Sequence, residues 1–443
     1  MDKNGIIQKS KDARREYGQA KANEQEDLSN LSDMIDEATG KVTLAKVPVG
    51  TKASKNGTIN GEAGDSNNPT IPKGYIPIDT ATSTWGDGST APSQDSVKHG
   101  LVIKDEKNNE WVWVPVDSAT LATMYEESSD EKTLCGTTGE TAVKTKLYSK
   151  TITIGTDSNK KTISRTTPGT SSSYREPDLV AGSNGAFFDA KDTYYKTILG
   201  DTGTKEQLAQ LFVDEYKAMI ESVSKYGGFY IGRYELSEEG VQKDKATLTN
   251  TSWYNLYKKC TELNASDKVK TQMIWGCQWD VTMNWLISSG AKTSNEVNKD
   301  SSSWGNYKET SVKADDGKTE LKASGTMEKL NTGKTTFTMA NNIYDLAGNC
   351  FEWTQEASFT YGRAFRGGVY YDDGSYYPAS NRNNGNSDDS DRDCERFSSH
   401  FNNKVTLDSR AWAPVWRIIV ILMRLLKILS HVNKQMGFAI NIK

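Results

Sequence analysis

Apolar residues in this 443-residue chain gather into a few short, patterned stretches separated by long polar ones. Over residues 4 to 39, Leu28, Leu31, Ile35 and Ala38 recur at helical spacing while Lys, Arg, Glu and Asp take the other face, which predicts an N-terminal amphipathic helix, a stalk, within 1–40. Residues 41–97 are mostly Gly, Ser, Thr, Asn, Asp and Pro, with isolated apolar positions such as Ile76 and Trp85. So thin an apolar content does not offset ordering entropy, and the segment reads as a linker with one docked strand near Gly74-Tyr-Ile-Pro77. Leu101-Val-Ile and Trp111-Val-Trp-Val predict a hairpin around a Lys-Asn-Asn turn, and residues 150 to 165 a further one. Otherwise 118 to 200 are polar and poorly periodic.

The clearest helix comes next. Thr204 is its N-cap, Gln207 stands at the capping-box position, Leu208, Leu211, Phe212, Tyr216, Met219, Ile220 and Val223 form one face, and Gly227 ends it. The strand Phe229-Tyr-Ile-Gly-Arg-Tyr comes at once, so this helix should pack across the sheet. Near 278 to 288 a second helix carries Trp279, Met283 and Leu286 as a core stripe. Residues 290 to 335 read as a long polar insertion. Within it Thr332-Gly-Lys-Thr335 has Glu328 where a phosphate-binding loop requires Gly, and no strand leads into a helix there, so nucleotide binding is rejected.

The chain is organised around Asn342-Ile-Tyr-Asp-Leu-Ala-Gly-Asn-Cys-Phe-Glu-Trp353, followed by Arg363-Ala-Phe-Arg-Gly-Gly368. Tyr344 and Leu346 alternate as on a half-buried strand, Ala347-Gly348-Asn349 suits a corner with positive φ, and Phe351 and Trp353 resume the alternation around Glu352. After Gly368 the composition changes: from Tyr370 to Cys394 there are 4 Tyr, 6 Asp, 4 Ser and 4 Asn, with no Leu, Ile, Val, Thr or Lys. Such a loop persists only by lying on a scaffold, and its chemistry is that of a paratope: Tyr for contact area, Ser and Asn for adaptable hydrogen bonds, Asp for charge selectivity.

Composition narrows the classes. A net charge of −4 without a basic stripe before the extreme C-terminus argues against nucleic acid. Five cysteines, Cys135, Cys260, Cys277, Cys350 and Cys394, include no CxxC pair, so neither a zinc cage nor a disulfide framework is indicated. Three histidines without metal-ligand spacing make His-dependent hydrolysis a poor fit.

The 342–353 turn with Arg366-Gly-Gly368 resembles the formylglycine-generating enzyme (sulfatase-modifying factor) family, whose fold is C-type-lectin-like. Glu110-Trp-Val-Trp-Val-Pro-Val116, Gly228-Phe-Tyr-Ile-Gly-Arg-Tyr-Glu-Leu236 and Gly276-Cys-Gln-Trp-Asp-Val-Thr-Met-Asn-Trp-Leu286 are similar to its other pieces, in the same order, over roughly 98 to 397. The resemblance implies an α+β, C-type-lectin-like domain over 98–400, preceded by the N-terminal helix and linker, with a variable loop at 370–403 and an atypical tail at 401–443. It also implies a structural calcium held at Gly348, Cys350 and Glu352; the alternative for Glu352 is an ordinary salt bridge. The family's two copper-binding cysteines would fall at Asp372 and Tyr377, and a carboxylate with a phenol does not replace thiolates, so the expectation is a protein that is not an enzyme.

Lacking those cysteines, the chain resembles the variable proteins of diversity-generating retroelements, whose adenine-directed mutagenesis yields residue types like those of 370 to 403. The implied function is a displayed receptor or adhesin without a required cofactor, taking a protein or glycan ligand through Tyr370, Tyr371, Asp372, Asp373, Tyr376, Tyr377, Asn381, Asn383, Asp388 and Asp389. Asn4-Gly-Ile-Ile-Gln-Lys-Ser-Lys-Asp-Ala-Arg is similar to the segment just after the membrane span of pilin-like surface proteins, so the expected location is the cell surface, with the anchor missing from this chain. Two alternatives stay open: a copper-dependent formylglycine-generating oxidase and a structural pilin-like subunit. In the tail, Trp416-Arg-Ile-Ile-Val-Ile-Leu-Met-Arg-Leu-Leu-Lys-Ile-Leu429 reads as an amphipathic helix, a membrane-surface element, a displaced strand or an out-of-frame end, and Gly437-Phe-Ala-Ile-Asn-Ile442 as a closing strand after an insertion.

Overall fold

Trp111, Val112, Trp113 and Val114 are all fully buried, the tryptophans in one hydrophobic cluster and the valines in another. Their strand, Glu110–Pro115, lies inside a sheet that is covered on both faces, so side chains pointing either way meet core. The computed structural model describes residues 51–54, 57–60, 65–72, 74–85, 92–135, 142–168, 174–179, 192–263, 269–358, 362–386, 401–402 and 405–408. The expected N-terminal helix and the tail from 409 onward lie outside these residues.

The fold is mixed α+β with several small sheets. The largest is antiparallel throughout, in the order Lys270–Met273, Val405–Asp408, Gly228–Gly232, Glu110–Pro115, Val102–Lys104, Ile76–Ile78. Strand Val405–Asp408 pairs with both Gly228–Gly232 and Lys270–Met273, and so brings Lys270–Met273 into the sheet as its edge. A second sheet runs Arg382–Asn386, Gly362–Arg366, Phe351–Ala357, Phe401–Asn402, antiparallel except for the last pair. The hairpin around the Lys-Asn-Asn turn and the one at Ile152–Ile154 with Lys161–Ile163 pair as their alternation predicts.

Helix Lys205–Tyr226 has Thr204 and Gln207 closing a reciprocal capping box, and Gly227 stops it in the left-handed region at φ 73. Its inner face bridges the two clusters, Leu208 and Phe212 entering one and Tyr216, Met219 and Val223 the other. Helix Gly276–Ser288 carries Trp279, Met283 and Leu286 in the second cluster. Helix Trp253–Glu262 was not legible from periodicity: its apolar face is aromatic, with Trp253, Tyr254 and Tyr257 buried beside Leu256.

Three expectations change. The segment read as linker joins the domain from Asp65 onward: Ile71, Tyr75 and Trp85 are buried, Tyr230 Oη donates to the Thr70 carbonyl at 2.9 Å, and Trp85 Nε1 donates to the Val102 carbonyl at 3.0 Å. Sparse aromatic anchors seated singly in the core hold it, so no periodicity shows. The strand Phe351–Ala357, expected to be half-buried, is buried at every residue, because its polar side chains Glu352, Thr354, Gln355 and Glu356 also face protein. The insertion at 290 to 335 is folded onto the domain, with Val297, Trp304, Tyr307 and Val312 fully or almost fully buried.

Candidate functional site

The turn that organises the sequence is a stitched corner. Gly348 and Asn349 have φ of 71 and 59, as expected of that turn. The Asn349 side chain donates to Glu235 Oε2 at 2.6 Å and accepts from Asn306 Nδ2 and the Leu330 amide, both at 3.0 Å. The chain then runs down the buried Phe351 strand and returns through Gly362–Arg366 to Gly367 and Gly368. Both glycines are required by close approach: a Cβ on Gly368 would strike the Tyr307 ring and lie 2.5 Å from the Tyr377 carbonyl, and one on Gly367 would lie 2.6 Å from Glu352 Oε2.

After Gly368 the chain forms a loop with a fixed backbone and an outward surface. The Asp372 carbonyl accepts from the Lys308 amide and the Gly374 carbonyl from the Ser301 amide, each at 3.1 Å, and the Ser380 amide donates to the Val297 carbonyl at 3.0 Å. Tyr307 Oη donates to the Tyr377 carbonyl at 2.8 Å, Trp279 Nε1 to the Ala379 carbonyl at 3.1 Å, and the Gly374 amide to Glu309 Oε1 at 2.7 Å. All but one of these partners come from the folded insertion, which is the floor beneath the loop. Ser301, Tyr307 and Glu309 were missed by reading the sequence; the aromatics Trp304 and Tyr307 inside so polar a stretch were the available signal.

Above this floor, the rings of Tyr376 and Tyr377 meet edge to face at 4.5 Å and those of Tyr370 and Tyr371 at 5.4 Å. Tyr377 also packs edge-on against Phe351 at 5.0 Å, which ties the patch to the core. Tyr376 is 71% exposed, Asp373 is exposed, and Tyr370, Tyr371, Asp372, Tyr377 and Asn383 are half-buried. Burial, then the charge of Asp373, pushes the Asp372 carboxyl up against the pull of Lys308. Burial, followed by Asp372 and the neighbouring tyrosines, pushes the Tyr371 phenol up. Glu309 is raised chiefly by burial, with the charge of Asp373 adding to the effect.

Of the ten residues expected to contact a ligand, Tyr370, Tyr371, Asp372, Asp373, Tyr376 and Tyr377 share this patch, and Asn383 is near enough to the Tyr377 phenol to oppose the rise that burial gives it. Asn381 is half-buried and is tied to the ionic cluster beneath the loop: its carbonyl accepts from Arg366 Nε at 2.7 Å and its side-chain Nδ2 is buried. Asp388 and Asp389 lie outside the described residues.

Beneath the far end of the loop sits a buried ionic cluster. Arg165 pairs with Glu176 at 2.6 Å, with Glu356 at 2.5 Å and with Asp280; Arg366 also pairs with Asp280, and Arg382 with Glu356. The Gly276 and Cys277 amides at a helix N-terminus donate to Glu176 at 2.8 and 2.7 Å. Glu352, of the implied calcium set, is fully buried, and its Oε2 and the Leu346 carbonyl converge on the side of Gly367 that lacks a Cβ. These are oxygen donors of the kind calcium takes. Among the described residues no three His, Cys, Asp or Glu side chains form a metal-binding group, so an ion there would draw mainly on carbonyls.

The fold and site thus define an α+β domain that presents an aromatic and acidic loop on a backbone-anchored platform. Neither a family model nor a curated protein matches the chain. Among solved structures it is similar to Treponema denticola variable protein 1, over 41% of this chain and 84% of that one, at 14% identity and a TM-score of 0.25. A likeness of that size bears on neither fold nor function by itself. No helix among the described residues is long and apolar enough to cross a membrane.

Proposed function

We propose that this is a non-enzymatic ligand-binding protein of the cell surface, a C-type-lectin-like domain whose loop after Gly368 is a diversified binding site. The observation that supports this reading is the division of labour within the loop. Its main chain is held by bonds to the 297–309 segment and to Trp279, while the Asp373 and Tyr376 side chains are exposed. A loop so held keeps its shape while its outward residues change. The same reading includes a structural calcium at the turn, with Glu352 as its charged ligand.

Sequencing codons 360 to 405 across the source population tests it. Variation confined to the outward positions, sparing Arg366, Gly367, Gly368 and Ala379, is the expected result. Uniform codons, or changes spread equally over inward and outward positions, would overturn the diversified loop. The competing oxidase reading predicts copper-dependent oxidation of a peptide cysteine. With Asp372 and Tyr377 at the positions where the resembled oxidases carry their cysteines, none is expected.

A further inference from the structure

We infer that the partner of this loop is a basic protein segment, its Lys or Arg side chains lodged among the tyrosine rings and carboxylates of the patch. The inference rests on the binding reading above and adds the chemistry of the ligand.

Two features of the surface carry it. The first is the aromatic pairing. Tyr376 meets Tyr377 edge to face at 4.5 Å, which fixes its ring on the surface, and that ring is largely in solvent. A tyrosine face attracts a guanidinium or ammonium within about 6 Å of its centre. The second is the charge around those rings. The Glu309 carboxylate accepts from the Gly374 amide at 2.7 Å, next along the chain to Asp373, and the Asp372 carbonyl accepts from the Lys308 amide at 3.1 Å, so Asp372, Asp373 and Glu309 share one edge of the patch. Two lysines stand nearby. Lys322 is buried and its Nζ is spent on the Tyr307 and Thr310 carbonyls, both at 2.7 Å, which leaves the half-buried Lys308 beside Asp372 as the counter-charge. Three carboxylates on so small a surface repel one another, and an incoming cation relieves that repulsion where a neutral sugar would not. Arg is the better fit of the two cations, since its plane stacks on a ring while its edge meets a carboxylate.

The experiment is selection from a library of random short peptides on the immobilised chain, followed by binding measurements on the enriched peptides. The expected result is enrichment of Arg and Lys. Affinity should fall with added salt, by about five-fold in Tyr376→Ala, and by roughly ten-fold in the double variant Asp372→Asn/Asp373→Asn. Lys308→Ala should bind the same peptides more tightly, an effect in the direction that a damaged fold would not produce. Enrichment of neutral or acidic peptides that still depend on Tyr376 would overturn the basic partner and leave the binding reading standing. No peptide whose binding depends on Tyr376, Asp372 or Asp373 would overturn both.

Discussion

The side-chain amide of Asn349 donates to the Glu235 carboxylate at 2.6 Å, joining the central turn to the end of the strand at Gly228–Gly232. Both residues are fully buried, and Asn349 also serves Asn306 and the Leu330 amide, so one side chain ties the turn to the floor of the loop. Because Asn349 is left-handed, Asn349→Gly removes these bonds without adding backbone strain. It should cost about 3 kcal/mol in urea unfolding, since a buried carboxylate loses a donor. Combined with Glu235→Gln, the loss should be less than additive.

Asp280 lies between Arg366 and Arg165. Burial pushes its carboxyl up, but those two guanidiniums, with Arg382, outweigh burial and hold it below the ordinary 3.8. Asp280→Asn should therefore destabilise the fold by about 4 kcal/mol, by leaving buried arginines short of charge. A lowered folded value means that this stabilisation is complete above pH 3.8 and is lost as pH falls through the lower folded value. The gap between wild type and variant should close in that acid window, as read by unfolding at a series of pH values.

Lys161 gives the opposite sign. Its Nζ donates to the Ser380 carbonyl at 2.8 Å, and burial, with the neighbouring Arg366, lowers its pKa from 10.5 to about 8. Between those values the unfolded chain holds a proton that the folded chain lacks, so stability rises with pH by about 1.4 kcal/mol per unit. Below about pH 8 the folded chain carries the buried charge at a constant cost. Wild type should gain on Lys161→Met through that alkaline window, by about 3 kcal/mol in all.

Outward and inward residues of the loop should differ sharply. Tyr376→Ser and Asp373→Asn, at exposed positions, should change stability by under about 0.5 kcal/mol. Tyr307→Phe loses the 2.8 Å bond to the Tyr377 carbonyl and should cost about 1 kcal/mol. Faster amide exchange over residues 373 to 380 in Tyr307→Phe, with no change in Tyr376→Ser, would mark the floor as what holds the loop.

The proposed calcium has its own test. Chelation should lower the melting temperature of the wild type and leave Glu352→Gln unmoved. Saturating calcium at about a hundred times its dissociation constant should restore about 2.7 kcal/mol. Equal melting with and without the ion would remove calcium from the reading.

By itself the sequence determined the elements whose signals are local. The Thr204 cap and the Gly227 stop are written in residues a few positions apart, and so are the two hairpins and the positive-φ corner at Gly348 and Asn349. The Tyr and Asp content after Gly368 likewise marked the loop as the candidate binding surface. Only the tertiary structure decided which side chains of that loop face out. Asn381 and Tyr376 belong to residue types that would suit a binding surface equally well, yet one is half-buried with its carbonyl bound by Arg366 and its side-chain Nδ2 shielded, and the other stands in solvent. That difference is set by the 297–309 segment, distant in sequence and too polar to show a core pattern. The linker was misread for the same reason: Tyr75 and Trp85 are single anchors, and a single anchor has no period to read. The cluster of Arg165, Glu176, Asp280, Glu356, Arg366 and Arg382 was equally invisible, because charges signal burial only when the fold brings their partners together.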